Sequence, residues 1–320
     1  FLNGKLDLLA IEGLGDLINA ETEFQRKQAY DQMEGSLSSL YNKWISQLVK
    51  ILSYIEATID FVEEEIPDNL VRNQLKDIKS TCIEIENHLD DSNKGERLRD
   101  GFRIIIAGAP NTGKSSLLNH LSDRDIAIVS PQAGTTRDSL DVYLDINGFP
   151  VIITDTAGIR KARTSIEGIG IKRSQSKIYE ADLVLWLMDS SKKNNKLIPD
   201  NIKEKSIAVW TKSDIAISKE KDILISTKHN LGFVQLIDII GKYVEKGCRT
   251  EGLFITRSRH RDALEKTRKH LLSITNENNL EIEVMAEELR SAVNSLGRIT
   301  GNVDVEDLLE IIFADFCIGK

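Results

Sequence analysis

Arg103-Ile-Ile-Ile-Ala-Gly-Ala-Pro-Asn-Thr-Gly-Lys-Ser-Ser-Leu-Leu118 is the stretch whose reading decides the fold. Residues 103–107 are a short apolar run that reads as a buried strand, and Ser116-Leu-Leu-Asn119 opens a helical run. Between them Gly108 to Ser115 spells GxxxxGKS, in the strand–loop–helix setting this pattern requires. Its glycines let backbone N–H groups curl around phosphate oxygens, which also meet the partial positive charge of a helix N-terminus. Lys114 is placed to reach the β- and γ-phosphates, and the Ser115 hydroxyl to hold Mg²⁺. The expected phosphate contacts are Asn111, Thr112, Gly113, Lys114, Ser115 and Ser116.

Further elements follow at the spacing of a guanine-nucleotide switch. Gly134-Thr-Thr-Arg-Asp138 supplies a threonine for a first switch. Pro150-Val-Ile-Ile-Thr-Asp155 reads as a buried strand delivering Asp155, Thr156, Ala157 and Gly158 to the nucleotide. Asp155 is expected to organise the Mg²⁺ shell through water, and the Gly158 amide to sense the γ-phosphate. Leu183-Val-Leu-Trp-Leu-Met-Asp189 is another buried strand, and Ile207-Ala-Val-Trp-Thr211 runs into Thr211-Lys212-Ser-Asp214. The Asp214 carboxylate can accept from both the guanine N1–H and N2 amine. A buried Asp here would reject adenine, which leaves those acceptors unpaired. Ile223-Leu-Ile-Ser226-Thr227-Lys228 supplies the last base-contacting loop. Together, in this order, these motifs predict a GTPase.

The attacking water has no obvious holder. Where Ras-like proteins carry a Gln that orients it, this chain continues from Gly158 with Ile159-Arg160. An aliphatic side chain cannot hold water. Glu167, in Arg163-Thr-Ser-Ile-Glu-Gly-Ile-Gly170, is the best candidate, although by chemistry alone a solvated loop carboxylate is the commoner reading. The Asn111 amide oxygen could coordinate a monovalent cation where other GTPases use an arginine finger.

Outside this stretch the composition changes. Four of the five prolines and eleven of the twenty glycines lie within 101–247, so the flanks should be long helices and the middle a turn-rich unit. Net charge is −9 over 1–100, +4 over 101–247 and −3 over 248–320, giving −8 in all. Leu37, Leu40, Trp44, Leu48, Ile51, Ile55, Ile59 and Val62 recur at helical spacing, as do Leu75, Ile78, Cys82, Ile85 and Leu89. Leu264, Leu271 and Ile274, then Leu289, Val293 and Leu296, continue the pattern, and a last amphipathic segment runs from Leu308 to Phe316. These stripes read as bundle core. The expected architecture is a helical bundle domain, 1–100 and 248–320, interrupted by an inserted Ras-like P-loop GTPase domain with a mixed, mostly parallel sheet at 101–247. Arg257-Ser-Arg-His-Arg261, with Lys266, Arg268 and Lys269, is either a solvated helix face or a contact for RNA or a protein partner. Three cysteines without a CxxC pair fit a reducing, cytoplasmic setting and exclude a disulfide framework. No run approaches the ~20 apolar residues of a membrane span.

The chain resembles the tRNA-modification GTPase family MnmE (also TrmE) along its whole length. The resemblance rests on the opening Phe-Leu-Asn-Gly-Lys-Leu-Asp-Leu8, the closing Phe316-Cys-Ile-Gly-Lys320, the phosphate loop, Ala133-Gly-Thr-Thr-Arg-Asp138 and the Ile-Gly-Ile pattern after Glu167. It implies a G domain inserted into a helical domain, activated by K⁺ and by G-domain homodimerisation across the nucleotide face. It implies Asn111 as the side-chain K⁺ ligand, with Ser130, Gln132 and Thr135 adding contacts, Ser115 and Thr136 on Mg²⁺, and Glu167 as the catalytic carboxylate. It implies a flavoprotein partner, MnmG (also GidA), and modification of the wobble uridine of certain tRNAs at carbon 5 with a folate one-carbon donor. Lys5 and Lys320 match folate-contact positions, and Cys317 lies in the same terminal motif, where its composition equally suits core packing. Two departures stand out. The base motif has Thr211 where the family usually has Asn. The family's N-terminal folate-binding and dimerising domain is not in these 320 residues, and a start at Phe1 is that expected of a chain cut from something longer. The alternatives are a ribosome-assembly GTPase, which needs a basic or KH-type appendage not seen here, and a silent scaffold, which the intact Lys114, Ser115, Asp155 and Glu167 oppose.

Overall fold

In the computed structural model, residues 6–60, 68–124, 126–128, 141–155, 177–192, 195, 197–215, 223–249, 252–276 and 280–301 are described. The chain forms two compact units: Phe1–Ala20, Arg26–Glu96 and Thr250–Lys320 make one, Glu21–Gln25 and Arg97–Arg249 the other.

The first unit is helical. Asp7 starts α1 (Leu8–Ile18) by accepting a hydrogen bond from the Ala10 amide at 2.7 Å, an N-cap that satisfies one orphan donor. After α2 (Glu23–Met33) come the long helices α3 (Ser36–Asp60) and α4 (Asp68–Leu89) and the short α5 (Lys94–Asp100). The stripe read from sequence turns inward on α3: Trp44, Leu48, Ile51 and Ile55 are buried, Leu40 and Ile59 partly so. Ile78, Cys82 and Ile85 of α4 join the same core. Its other wall comes from the far end of the chain, as Leu264, Leu271 and Ile274, then Leu289, Val293 and Leu296. Each such side chain contributes about 1.5–3 kcal/mol. A buried polar tie links the two sequence segments: the Gln32 amide donates to the Leu9 carbonyl at 3.0 Å and accepts from Thr256 Oγ1 at 2.8 Å. Val62 and the segment 308–316 lie outside the described residues.

The second unit is an α/β layer around a six-stranded sheet of order β2-β3-β1-β4-β5-β6. The strands are β1 (Phe102–Gly108), β2 (Asp141–Ile146), β3 (Phe149–Asp155), β4 (Leu183–Asp189), β5 (Ser206–Thr211) and β6 (Ile223–Leu224). Only β2, hairpinned to β3, runs antiparallel. Every residue of β4 is buried, as a parallel strand covered on both faces requires. Pro150 fits because β3 pairs with β1 only from Val151 onward, so the missing N–H costs no rung there. One piece of the N-terminal flank belongs to this unit: Phe24 stacks on Phe149 with ring centroids 4.3 Å apart, and its amide donates to the Gly148 carbonyl. The central strand β1 lies between β3 and β4, so successive connections leave on opposite sides of it. In open α/β sheets that switch point, at the carboxyl ends of the strands, is where ligands bind.

Candidate functional site

The switch point gathers four strand ends: Gly108 of β1, Asp155 of β3, Asp189 of β4 and Thr211 of β5. Gly108 cannot be otherwise. Its φ is +142°, and an added Cβ would lie 2.5 Å from the Leu187 carbonyl oxygen. From it the loop passes through Asn111, at φ +63°, into α6 (Lys114–Ser122). Lys114 is buried and turns back over the loop, donating to the Ala109 carbonyl at 2.8 Å and the Gly108 carbonyl at 3.2 Å. Thr112, also buried, closes the loop by donating from Oγ1 to the Ala109 carbonyl at 2.9 Å. Ser116 is exposed beside it.

Ser115 and Asp155 meet. The exposed serine hydroxyl donates to Oδ2 of the buried aspartate at 2.7 Å, across 40 residues of sequence. A hydroxyl beside a carboxylate, both hard oxygen donors, is the donor set a Mg²⁺ ion favours. Thr211 braces the loop from the base side, its hydroxyl lying 2.8 Å from the Thr112 carbonyl and 3.1 Å from the Met188 carbonyl. One hydroxyl proton serves these two acceptors in turn.

Asp214 is exposed. It sits in the turn after β5. Its Oδ1 accepts from the buried Ser226 hydroxyl at 2.7 Å, and that bond holds its carboxyl below the usual aspartate range. The loop carrying Ser226, Thr227 and Lys228 is closed by reciprocal backbone bonds between Ser226 and Leu231, leaving Thr227 and Lys228 exposed. Three further groups of this site escape the motifs. Asp189 is fully buried, and its Oδ2 accepts from Lys212 Nζ at 2.6 Å; Ser191 and Asn195 pack polar atoms around it. Their only signal in the sequence is an aspartate closing an otherwise apolar strand. Ser130, Gln132, Thr135, Thr136, Thr156, Ala157, Gly158 and Glu167 lie outside the described residues, as do Lys5, Cys317 and Lys320.

The family profile of the MnmE helical domain matches residues 8–317. A protein named tRNA modification GTPase MnmE from Paramagnetospirillum magneticum is 43% identical over 330 residues, covering 100% of this chain and 74% of that protein. The chain belongs to the MnmE family. Proteins of the same name from Parvibaculum lavamentivorans and Rhizobium johnstonii are 45% and 44% identical, again over 100% of this chain and 74% of their own length. The G domain of the FeoB iron transporter of T. maritima is similar over 44% of this chain and 98% of its own, at 22% identity and a TM-score of 0.35. The MnmE match runs through both flanks of the inserted unit, and there the structure revises the reading of the basic stretch. Arg257 pairs with Asp16 at 2.8 Å, Arg259 with Glu12 at 2.6 Å, and Arg261 with Asp91 at 2.6 Å. These three arginines are paired within the helical unit, whereas Lys266 and Lys269 of the same stretch are exposed. Among the described residues no helix is long and apolar enough to cross a membrane.

Proposed function

We propose that this chain hydrolyses GTP to GDP and phosphate as part of tRNA wobble-uridine modification, with K⁺ and the pairing of two nucleotide-binding units as activators. The observation that carries the hydrolase reading is the gathering of Lys114, Ser115, Asp155 and the Thr211–Asp214 motif at the carboxyl ends of β1, β3 and β5. Lys114 binds the β- and γ-phosphates by releasing the Ala109 and Gly108 carbonyls it now holds. Asp214 and Ser226 read the guanine edge, Asp214 by accepting and Ser226 by fixing the carboxylate that accepts. Ser115, with Thr136, would hold Mg²⁺ directly and Asp155 through water. The ion supplies neutralisation of the charge that builds on the phosphate oxygens. Asn111, with Ser130, Gln132 and Thr135, would hold K⁺.

Hydrolysis forms a bond between water oxygen and the γ-phosphorus and breaks the bridging bond to the β-phosphate. The water's position, rather than covalent chemistry, sets the rate. Glu167 is the carboxylate assigned to hold that water, directly or through a second one. The tRNA, a flavoprotein partner and a folate one-carbon donor near Lys5 and Lys320 complete the reading, and family membership supports it. GTP turnover measured in KCl and in NaCl at equal ionic strength, for the wild type and Glu167→Ala, tests it. We expect K⁺ to accelerate the wild type and Glu167→Ala to bind GTP while losing turnover. Equal rates in the two salts sink the cation role, and normal turnover by Glu167→Ala sinks the carboxylate assignment.

A further inference from the structure

We propose that Asp189 is a positioning residue for the guanine nucleotide, fixing Lys212 so that the base motif and the phosphate loop are tied together before the nucleotide arrives. This rests on the guanine-nucleotide reading above. Asp189 ends β4 in register with Thr211 of β5, and its side chain is wholly buried. Every polar group it owns is held. Oδ1 accepts from the Ser191 amide at 3.0 Å and the Ser191 hydroxyl at 2.6 Å, and Oδ2 accepts from Lys212 Nζ at 2.6 Å. The Asn195 side chain grips its backbone from both sides, accepting from the Asp189 amide and donating to its carbonyl, each at 2.9 Å. Burial pushes this carboxyl up, and the bonds from Lys212 and Ser191 outweigh that push and hold it below the ordinary aspartate value.

Burying a carboxylate is costly, and an apolar residue in the same place is often at least as stable. A charge kept here, with its orientation fixed by three hydrogen bonds, needs something to orient. That something is Lys212. Its backbone is left-handed, at φ +59°, a conformation an ordinary side chain enters only when its surroundings enforce it. Its ammonium also donates to the Asn111 carbonyl at 3.2 Å, so one side chain reaches from the base motif to the apex of the phosphate loop. Without Asp189 the long, flexible lysine has no reason to stay there, since a neutral carbonyl alone is a weak partner for an ammonium that water solvates well. Asn111 would then lose its donor, and the loop its link to the base side.

The role is therefore in holding nucleotide, separate from the hydrolytic step. In the full chain, Asp189→Asn should speed the release of a fluorescent GDP analogue by about tenfold, the worth of one hydrogen bond to a charged group. The KM for GTP should rise by a similar factor while kcat carries the smaller part of the change, a split that mere loss of folded protein would not give. Lys212→Met removes the ammonium and keeps the stem. In that background Asp189→Asn should add almost nothing, because both changes remove the same contact. Unfolding midpoints of the nucleotide-free proteins, measured in parallel, separate this from simple destabilisation. Unchanged release in Asp189→Asn, or accelerations that multiply in the double variant, overturns the proposal. Ser191→Ala, which frees one side of the carboxylate, provides the same comparison if Asp189→Asn does not fold: it should speed release in the wild type and be silent beside Lys212→Met, and acceleration in both backgrounds or in neither overturns the role. A wild-type chain that takes up no guanine nucleotide defeats the GTPase reading itself, whereas normal uptake with unaltered release defeats only Asp189.

Discussion

His88 carries a pH dependence that can be worked out from its surroundings. Its Nε2 lies 3.0 Å from the Tyr41 hydroxyl, and its ring meets Trp44 edge-on with centroids 5.6 Å apart. Burial pushes the Tyr41 phenol up, so it keeps its proton beside the imidazole. Burial likewise pushes His88 down to about 4 from its ordinary 6.5, with Asp91 pulling it up and Arg261 and His260 pulling it further down. The unfolded chain takes up this proton first as pH falls. Stability is therefore complete above pH 6.5 and drains away between 6.5 and 4. Between pH 7.5 and 5 this one group should cost the helical unit about 2 kcal/mol in denaturant unfolding. In His88→Gln the same measurement should show a loss smaller by that amount; an identical pH slope in both proteins refutes the assignment. Nothing in the sequence around His88 announced this, because the partner hydroxyl is 47 residues away. Lys114, Ser115, Asp155 and Asp214 were legible for a different reason. Each lies inside a short motif whose own residue types point to phosphate or guanine, even though Ser115 and Asp155 meet across 40 residues.

At the scale of elements, the loop from Ile225 to α7 (Phe233–Cys248) depends on one backbone angle. Gly232, at φ +78°, caps this helix, and an added Cβ would fall 1.9 Å from the Leu224 carbonyl oxygen. That obstacle is backbone, which cannot swing away. Gly232→Ala should thus destabilise the nucleotide-binding unit by more than about 2 kcal/mol. It should also weaken GTP binding, since Ser226 and its hold on Asp214 lie in the displaced loop. Thermal unfolding and nucleotide titration together check it, and a variant as stable as wild type with normal affinity contradicts the argument. The helices that the sequence displayed, α3 and α4 and their partners α8 (Ser258–Asn276) and α9 (Ile282–Thr300), each bury one apolar face at helical spacing. By contrast, α2 buries only Ala29 and Gln32, so it has no stripe to read. Its first turn, which belongs to the second unit, stacks the Phe24 ring on Phe149. Strand β2 did carry a signal: Val142, Leu144 and Ile146 alternate with polar or exposed neighbours, the period of a half-buried strand.

Across the whole molecule, the regional charges bear on how RNA could be held. The flanks carry −9 and −3, and Arg257, Arg259 and Arg261 are paired with Glu12, Asp16, Asp91 and Glu96. Phosphate binding needs cations free to displace counterions. By itself, then, this chain should hold tRNA no better than the nonspecific range of roughly 10⁻⁴–10⁻⁶ M near physiological salt. Arg259→Ala separates the two uses of an arginine. Its guanidinium takes Glu12 through two nitrogens, at 2.7 and 2.6 Å, and caps α9 through the Ile299 carbonyl at 3.2 Å. Losing it should lower the unfolding free energy by about 1–3 kcal/mol, less than for a fully buried pair because the side chain is one-third exposed to water. Retention of tRNA in a gel-shift titration should not change. The contrary pattern, RNA binding weakened tenfold or more with stability untouched, would mean that this arginine faces nucleic acid in solution and that the internal pairing is incidental.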